Sequence, residues 1–460
     1  MTMVGLLLTI ALALLDSAAA AKTPKETEPV LRVKIGSLFK KIEISFKGGG
    51  MVANDRGRRL KTIRDKGSFV WQLPSHKSRK KIEYLNQTLA FTGKSDQISF
   101  NGKQYRGKML IKFGKTGALV VNHVGIEDYL RGVVGSEMGS LSPAESLKAQ
   151  TVIARTYAYS NRGKHGRDGA DVCDSTHCQV YKGVSAERES INKAVNATRG
   201  IIMVSDGKPI QTLYHATCGG MTSDNDKVFG GAPCSYLRRV ICPFCKDGSH
   251  YRWVKSLSIG ELKSGMAKEK IHFNHLYDFG YESPALLDRV DKVFLSTDKG
   301  EFSVKGTTFR RLFDLKSTTF TLGNRKAVRK IIDMAVEKQP SRMLIAIRGL
   351  GETASDGPPQ LILQTGRGLK RVTRPEQGWQ IISCRQTETA SQSMPLVSRN
   401  EPLKSNVSGR IDKIEIFGRG YGHQVGLCQS GAIEMGKRNW SYRQILPFYY
   451  ANVALRKLGY

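Results

Sequence analysis

Two incompatible periodicities meet near Asp128, and that junction constrains the fold more than any other feature of the chain. Before it, Leu31-Val33-Ile35 and Ile42-Ile44-Phe46 alternate with polar residues, the period-two pattern of half-buried strands. Turns are marked at Gly48-Gly49-Gly50, Asn54-Asp55 and Asn101-Gly102. After it, Ser142-Pro143-Ala144-Glu145 reads as a helix start: a Ser cap, Pro at the first helical position, and Glu three residues past the cap. That helix is expected to run to about Ser160, with Leu147, Thr151, Ala154 and Ala158 on one stripe and Lys148 and Arg155 on another face. Further on, 200–240 reads as strands and turns, 414–417 as a short strand and 425–435 as a helix. Strands and helices in separate blocks predict an α+β fold with a β-rich N-terminal region over 22–116.

The strand-rich block is also where the charge lies. The chain carries 72 Lys+Arg against 40 Asp+Glu, a formal net charge of +32. Residues 22–116 hold 23 Lys+Arg and 7 Asp+Glu, so half of the excess sits in about a fifth of the chain. Such a balance excludes an acidic solvating protein and points to anionic partners. The start of the chain narrows the choice. Residues 3–15 form an apolar run too short to span a bilayer, followed by Ala18-Ala19-Ala20-Ala21 and a polar turn at Lys22-Thr23-Pro24. This predicts a signal peptide over 1–21 and an exported protein in the periplasm or cell wall. Nucleic acid is then not the expected partner; anionic envelope polymers are.

Four groups of residues could carry chemistry. Glu137, in Gly135-Ser136-Glu137-Met138-Gly139, is a carboxylate flanked by Gly and Met and placed for partial burial, which raises a carboxyl pKa toward proton donation. Glu145 is the competing acid, but its position in the helix cap explains it without catalysis. Cys173, His177 and Cys178 lie within six residues and could supply zinc ligands, with His165 a fourth; a Cys173–Cys178 disulfide is the alternative. Cys218, Cys234, Cys242 and Cys245 are expected to pair as two disulfides in an exported chain. Finally, Gly418 to Gln429 is a glycine-rich run around His423 that fits neither a phosphate loop nor a dinucleotide fingerprint.

The order of several segments is more specific than any one of them. They are Val121-Asn122 with Glu127-Asp128-Tyr129-Leu130, then Gly135-Ser136-Glu137-Met138, then Pro143 with Lys148-Ala149-Gln150 and Ala154-Arg155-Thr156-Tyr157. Gln179-Val180-Tyr181, Tyr214 to Gly220, Leu315 to Phe320 and Gly420 to Ala432 follow. In this order the sequence resembles the SpoIID/LytB family of exported bacterial cell-wall proteins. The resemblance implies a catalytic core over 117–460, interrupted by an insertion at about 325–410. It implies one of two functions. One branch consists of lytic transglycosylases that cut peptidoglycan glycan strands between N-acetylmuramic acid and N-acetylglucosamine; the other enhances a cell-wall amidase without catalysis.

In the first branch the resemblance makes Glu137 the acid. Lys148, Arg155 and Tyr157 match the basic and aromatic helix residues, and Tyr181, His215 and His423 are candidates for lining the cleft. A zinc-binding version of the enzyme implies metal near Cys173, His177 and Cys178. Gln424 stands where the family usually has Gly. Ordinary glycosidases need two carboxylates. A lytic transglycosylase needs a single acid/base, because the muramic acid 6-hydroxyl can serve as nucleophile. The absence of HExxH argues against a zinc-dependent hydrolase.

Overall fold

The structure is a computed structural model that describes residues 27–75, 81–283, 289–322, 411 and 413–460, and the backbone of three strands between 343 and 372. The expected signal segment, the helix-like stretch 325–338 and most of the expected insertion lie outside the described residues. No helix among the described residues is long and apolar enough to cross a membrane.

Strands dominate the first hundred residues, as the alternation predicts. They are β1 (Val30–Phe39), β2 (Lys41–Phe46), β3 (Gly50–Asn54), β4 (Arg59–Ile63), β5 (Ser68–Gln72), β6 (Thr88–Phe100), β7 (Lys103–Gly114) and β8 (Gly117–Gly125). With β9 (Val172–Cys173) they form one nine-stranded sheet whose main path is β4-β3-β6-β7-β8-β1-β9, with β2 and β5 hanging from β6. Alternation sorts its side chains. Ile42, Ile44 and Phe46 are buried, whereas Lys41, Lys61, Lys103, Lys108 and Lys112 are exposed. The cations therefore form the solvated side of the sheet.

The sheet also corrects the expected domain boundary. β7 and β8 pair across residue 116, and β8 pairs antiparallel with β1 from Val30↔Gly125 to Phe39↔Ala118. A single apolar cluster then runs from Leu31 through Phe113 to Val195. The basic region thus shares this apolar cluster with the helices that follow it. Long-range strand pairing decided this, and hydrophobic periodicity carries no information about which strand pairs with which.

Helices α1 (Ile126–Met138), α2 (Ala144–Ser160) and α3 (Glu189–Ala197) cover that sheet. α2 begins and ends near the predicted positions, but its cap differs. Pro143 occupies the cap and no side chain satisfies it; Ser142 Oγ donates to the Met138 carbonyl, and Glu145 accepts from the Tyr442 backbone N–H at 2.8 Å. Twelve of its residues are buried because two clusters claim it: Leu147, Ala154 and Ala158 face the first, Ala149, Val152 and Ile153 the second.

The second cluster gathers the far end of the chain. β10 (Ile201–Ser205) pairs with β11 (Lys208–Pro209) and with β23 (Ala454–Lys457), and β12 (Tyr214–His215) lies parallel to β22 (Leu427–Cys428). A short helix, α4 (Asn225–Phe229), follows β12. Next, 252–322 builds a third cluster: β13 (Arg252–Ser258), α5 (Ile259–Ala267), β14 (Leu276–Glu282), β15 (Lys292–Thr297), β16 (Gly300–Lys305), α6 (Gly306–Leu312) and β17 (Phe320–Leu322). Within the expected insertion, β18 (Met343–Leu344), β19 (Leu361–Thr365) and β20 (Gly368–Val372) form a sheet of their own. β21 (Lys413–Arg419), the strand expected at 414–417, returns between β13 and β17. The helix expected over 425–435 starts later, as α7 (Gln429–Lys437), because Leu427 and Cys428 are drawn into the pairing with β12; α8 (Tyr442–Tyr449) follows.

Candidate functional site

Glu137 is delivered by α1. Ile126, Tyr129, Leu130, Val133 and Val134 make its buried stripe, while Glu127 and Asp128 occupy the first turn, where the helix dipole favours acids. Glycines on this helix have a positional purpose. A Cβ on Gly132 would stand 2.6 Å from the Tyr181 ring, and one on Gly135 would run into the Ala186 carbonyl oxygen. Their absence lets the segment after Cys178 lie against α1, close enough for the Val180 N–H to reach Glu137 Oε1 at 3.0 Å. Met138 ends the helix, and Gly139 leaves it with φ 75.

A second donor completes the environment of the acid. Tyr214, on β12, sets its hydroxyl beside the Glu137 carboxyl and favours the charged form. A directed chain stands behind it: Tyr129 Oη donates to Gln179 Oε1 at 3.3 Å, and Gln179 Nε2 donates to Tyr214 Oη at 3.3 Å. With Gln179 donating to its oxygen, the Tyr214 hydroxyl keeps its own proton free. Burial pushes the Glu137 pKa up, the Val180 and Tyr214 hydrogen bonds pull it down, and burial wins. Among the described residues its hydrogen-bond partners are these donors, with no second carboxylate between them.

The glycine-rich run lies behind Tyr214. His423 Nδ1 accepts the Val425 N–H at 3.1 Å. The His215 ring centroid is 5.7 Å from that of His423, and His215 Nδ1 meets the Val425 carbonyl at 3.2 Å. Both imidazoles are neutral near pH 7. Burial, reinforced by His423, takes His215 down to about 3; burial with Arg289 and Arg310 takes His423 down to about 4. His215 Nε2 is buried without a hydrogen-bond partner. Gln424 resolves the departure from glycine: its φ is 65, and its buried amide offsets the strain by accepting from Thr319 Oγ1 at 2.7 Å and donating to the Cys218 carbonyl at 2.8 Å.

The Cys/His loop closes the other side. β9 pairs parallel with β1, Lys34 opposite Cys173, and so hangs the loop Asp174 to Cys178 from the sheet edge. His165, Cys173, His177 and Cys178 bring their ligand atoms within 4.8 Å of one another. His165 Nε2 is 3.4 Å from Cys178 Sγ, and His177 Nδ1 is 3.6 Å from each sulfur. The adjacent His177 and Cys178 both turn inward because the chain doubles back, the Cys178 N–H reaching the Ser175 carbonyl. Two thiolates and two imidazoles at this spacing fit tetrahedral zinc, and Gln179 and Val180 follow directly. Tyr157 stands by the loop: Lys164 Nζ donates to its hydroxyl at 3.1 Å and to the His177 carbonyl at 3.4 Å.

The sequence candidates therefore divide. Glu137, Tyr157, His215 and His423 gather around Tyr214. Arg155 does not: it is fully buried, paired with Glu127 at 2.7 Å, and bound to the Ile201 carbonyl at 3.0 Å. It shares a helix face with Lys148, but α3 and β10 pack over that half of α2. Lys148 keeps partial exposure and pairs with Glu145 at 2.6 Å. Tyr181 is also core; its hydroxyl donates to Asn122 Oδ1 at 2.9 Å, and its ring packs on Tyr129. Two contributors, Tyr214 and Gln179, lie in the ordered segments but received no role from the sequence. Tyr214 neighbours His215 on a strand, and nothing in the alternation says which of the two serves the acid. A cavity of about 300 Å³, lined by Lys263, His272, Phe273, Asn274 and Lys299, contains none of these groups.

The cysteines expected to pair as Cys218, Cys234, Cys242 and Cys245 are arranged otherwise. All described cysteines are free thiols, and Cys428 replaces Cys234 in a buried group with Cys218, Cys242 and Cys245.

Comparison with known proteins gives the chain its relatives. Residues 114–204, which hold Glu137, Tyr157 and the Cys/His loop, match the family model for stage II sporulation protein. An uncharacterized protein of Brachyspira hyodysenteriae is 30% identical over 360 residues, covering 78% of this chain and 74% of that protein. The amidase enhancer of Bacillus subtilis is 27% identical across 78% of this chain, and stage II sporulation protein D of the same organism is 30% identical across 32% of it. The chain spans less than half the length of those two, 45% and 48%.

Proposed function

The chain belongs to the SpoIID/LytB family, and from that premise we propose that it is an exported lytic transglycosylase acting on peptidoglycan. Glu137 is its single general acid/base. The observation that carries this reading is a half-buried carboxyl with a raised pKa, held by the Val180 N–H beside the Tyr214 hydroxyl, with no companion carboxylate among its partners. Protonated Glu137 gives its proton to the oxygen bridging N-acetylmuramic acid and N-acetylglucosamine. The resulting carboxylate, held by the Val180 N–H and the Tyr214 hydroxyl, then takes the proton of the muramic acid 6-hydroxyl as the 1,6-anhydro ring closes. Tyr157, His215 and His423 are positioned to shape the cleft, and the basic sheet supplies adhesion to anionic envelope polymers.

The second reading is a non-catalytic enhancer of a cell-wall amidase, favoured by the relative of that name, which aligns with most of this chain. Digesting purified glycan strands and weighing the products separates the two. Anhydromuramyl ends support the transglycosylase. Intact strands, together with faster stem-peptide release when an amidase is added, support the enhancer.

The pH profile follows from the acid's surroundings. Glu137 must start protonated, so kcat/KM falls as pH rises through its pKa, which lies above the ordinary 4.5. Tyr214 favours the carboxylate. Tyr214→Phe therefore raises that pKa further and moves the falling limb to higher pH; a limb that moves down or stays would contradict the hydrogen bond's role.

We also propose zinc at His165, Cys173, His177 and Cys178. When bound, it would fix the loop that presents Gln179 and Val180. Chelation is expected to lower glycan cleavage by up to about 100-fold, the scale of a small misplacement of a reacting group, and added zinc to restore it. Full activity in metal-free protein would remove zinc from the site.

A further inference from the structure

The remaining cysteines form a second donor set that the proposed chemistry does not use. Cys218, Cys242, Cys245 and Cys428 are all buried, and their sulfurs lie within 4.8 Å of one another. Four thiolates around one tetrahedral zinc at the usual Zn–S length stand about 3.8 Å apart. A four-iron cluster holds its thiolates farther apart, so the spacing selects a single ion.

Three features suit these sulfurs to metal ligation. Polar hydrogens converge on them: Cys428 Sγ accepts from the Cys218 N–H at 3.2 Å and the Gly431 N–H at 3.3 Å, and Tyr449 Oη lies 3.2 Å from Cys242 Sγ. Such donors stabilise metal-bound sulfur, as outer-shell hydrogen bonds do at zinc sites. Glycine at 431 lets the α7 N-terminus close on the group, since a Cβ there would run into Tyr449 Oη and stand 2.8 Å from Cys242 Sγ. The chain geometry suits ligation as well: Cys242 and Cys245 bracket a short 3-10 turn, and Cys428 caps the α7 N-terminus. Without a cation, four buried thiolates would carry an uncompensated desolvation cost.

We propose that Cys218, Cys242, Cys245 and Cys428 bind a structural zinc ion. Its place in the fold gives it a purpose. Cys428 stands opposite His215 in the β12–β22 register, and the Cys218 carbonyl accepts from Gln424. The ion would clamp the strand that presents Tyr214 to the turn that carries His423, and it would keep thiols at contact distance from oxidising in the cell envelope.

Metal analysis of the full chain tests this without any activity readout. The Cys173→Ser/Cys178→Ser variant removes the first donor set and is expected to keep one zinc per chain. Adding Cys218→Ser/Cys428→Ser should remove that zinc. Gly431→Ala, whose methyl would push on Tyr449 Oη and Cys242 Sγ, should weaken it by about tenfold or more. Because removing buried ligands can also destabilise the fold, alkylation of the unaltered protein gives a second measure. All four cysteines should be protected until zinc is stripped, and cobalt substitution should give a tetrathiolate spectrum. Stoichiometric Cys218–Cys245 and Cys242–Cys428 disulfides in non-reduced peptide maps, or free alkylation of the four thiols before chelation, would overturn the assignment.

Discussion

Glu137→Gln is expected to lower the release of anhydromuramyl ends by about 10²–10⁴-fold, the usual contribution of a positioned acid/base. The substitution keeps the side-chain shape, and its amide oxygen can still accept the Val180 N–H, so the fold should be untouched. What it removes is the proton and the ability to take one back. Because a single group serves both steps of the proposed reaction, no other carboxylate can compensate for its loss. Cleavage at the unaltered rate would eliminate the mechanism. The same variant also separates the two functional readings. An enhancer has no use for the proton of this acid. Amidase stimulation left unchanged by Glu137→Gln, in a chain that never cuts glycan, would therefore favour the enhancer.

Local rules carried the reading of the sequence far where the cause is local. Alternation found β1 and β2, and the Pro and apolar spacing found α2 within a residue or two of Ala144–Ser160. Ordered motifs singled out Glu137. Readings failed where partners are distant. Arg155 and Lys148 occupy one helix face, yet one is core and the other partly exposed, because α3 and β10 cover only part of α2. Cys428 joins Cys218 through a parallel strand pair with no signal near either cysteine, while the nearer Cys234 stays out. Residue 116 looked like a boundary because charge density changes there. The sheet crosses it because solvated cations on one face do not oppose pairing of the backbone.

The buried ion pair that displaced Arg155 from the cleft carries the other large effect. Arg155→Met is expected to destabilise the fold by about 3–5 kcal/mol, the scale for breaking a buried pair by removing one partner. Arg155 holds both Glu127 oxygens, at 2.9 and 2.7 Å, while Tyr460 and the Gly200 N–H supply further donors to Oε1. This knot joins the first turn of α1 to α2 and to the loop entering β10. Its pH dependence gives a sharper signature than its size. In the intact protein burial pushes the Glu127 pKa up, but Arg155, Tyr460 and Gly200 together hold it below 4.5. A depressed carboxyl contributes stability above its unfolded pKa and loses it as pH falls through the folded value. Without Arg155 the burial effect prevails and the pKa rises. The variant should therefore gain stability as pH is lowered from 7 toward 4.5, where the intact protein gains none from this group. Adding Glu127→Gln should recover part of the loss at pH 7 and flatten the slope. Urea midpoints across that range read both effects. Parallel pH curves for the two proteins, or a loss under about 1 kcal/mol, would mean that water reaches Glu127 and that the knot is not what fixes the helix carrying Glu137.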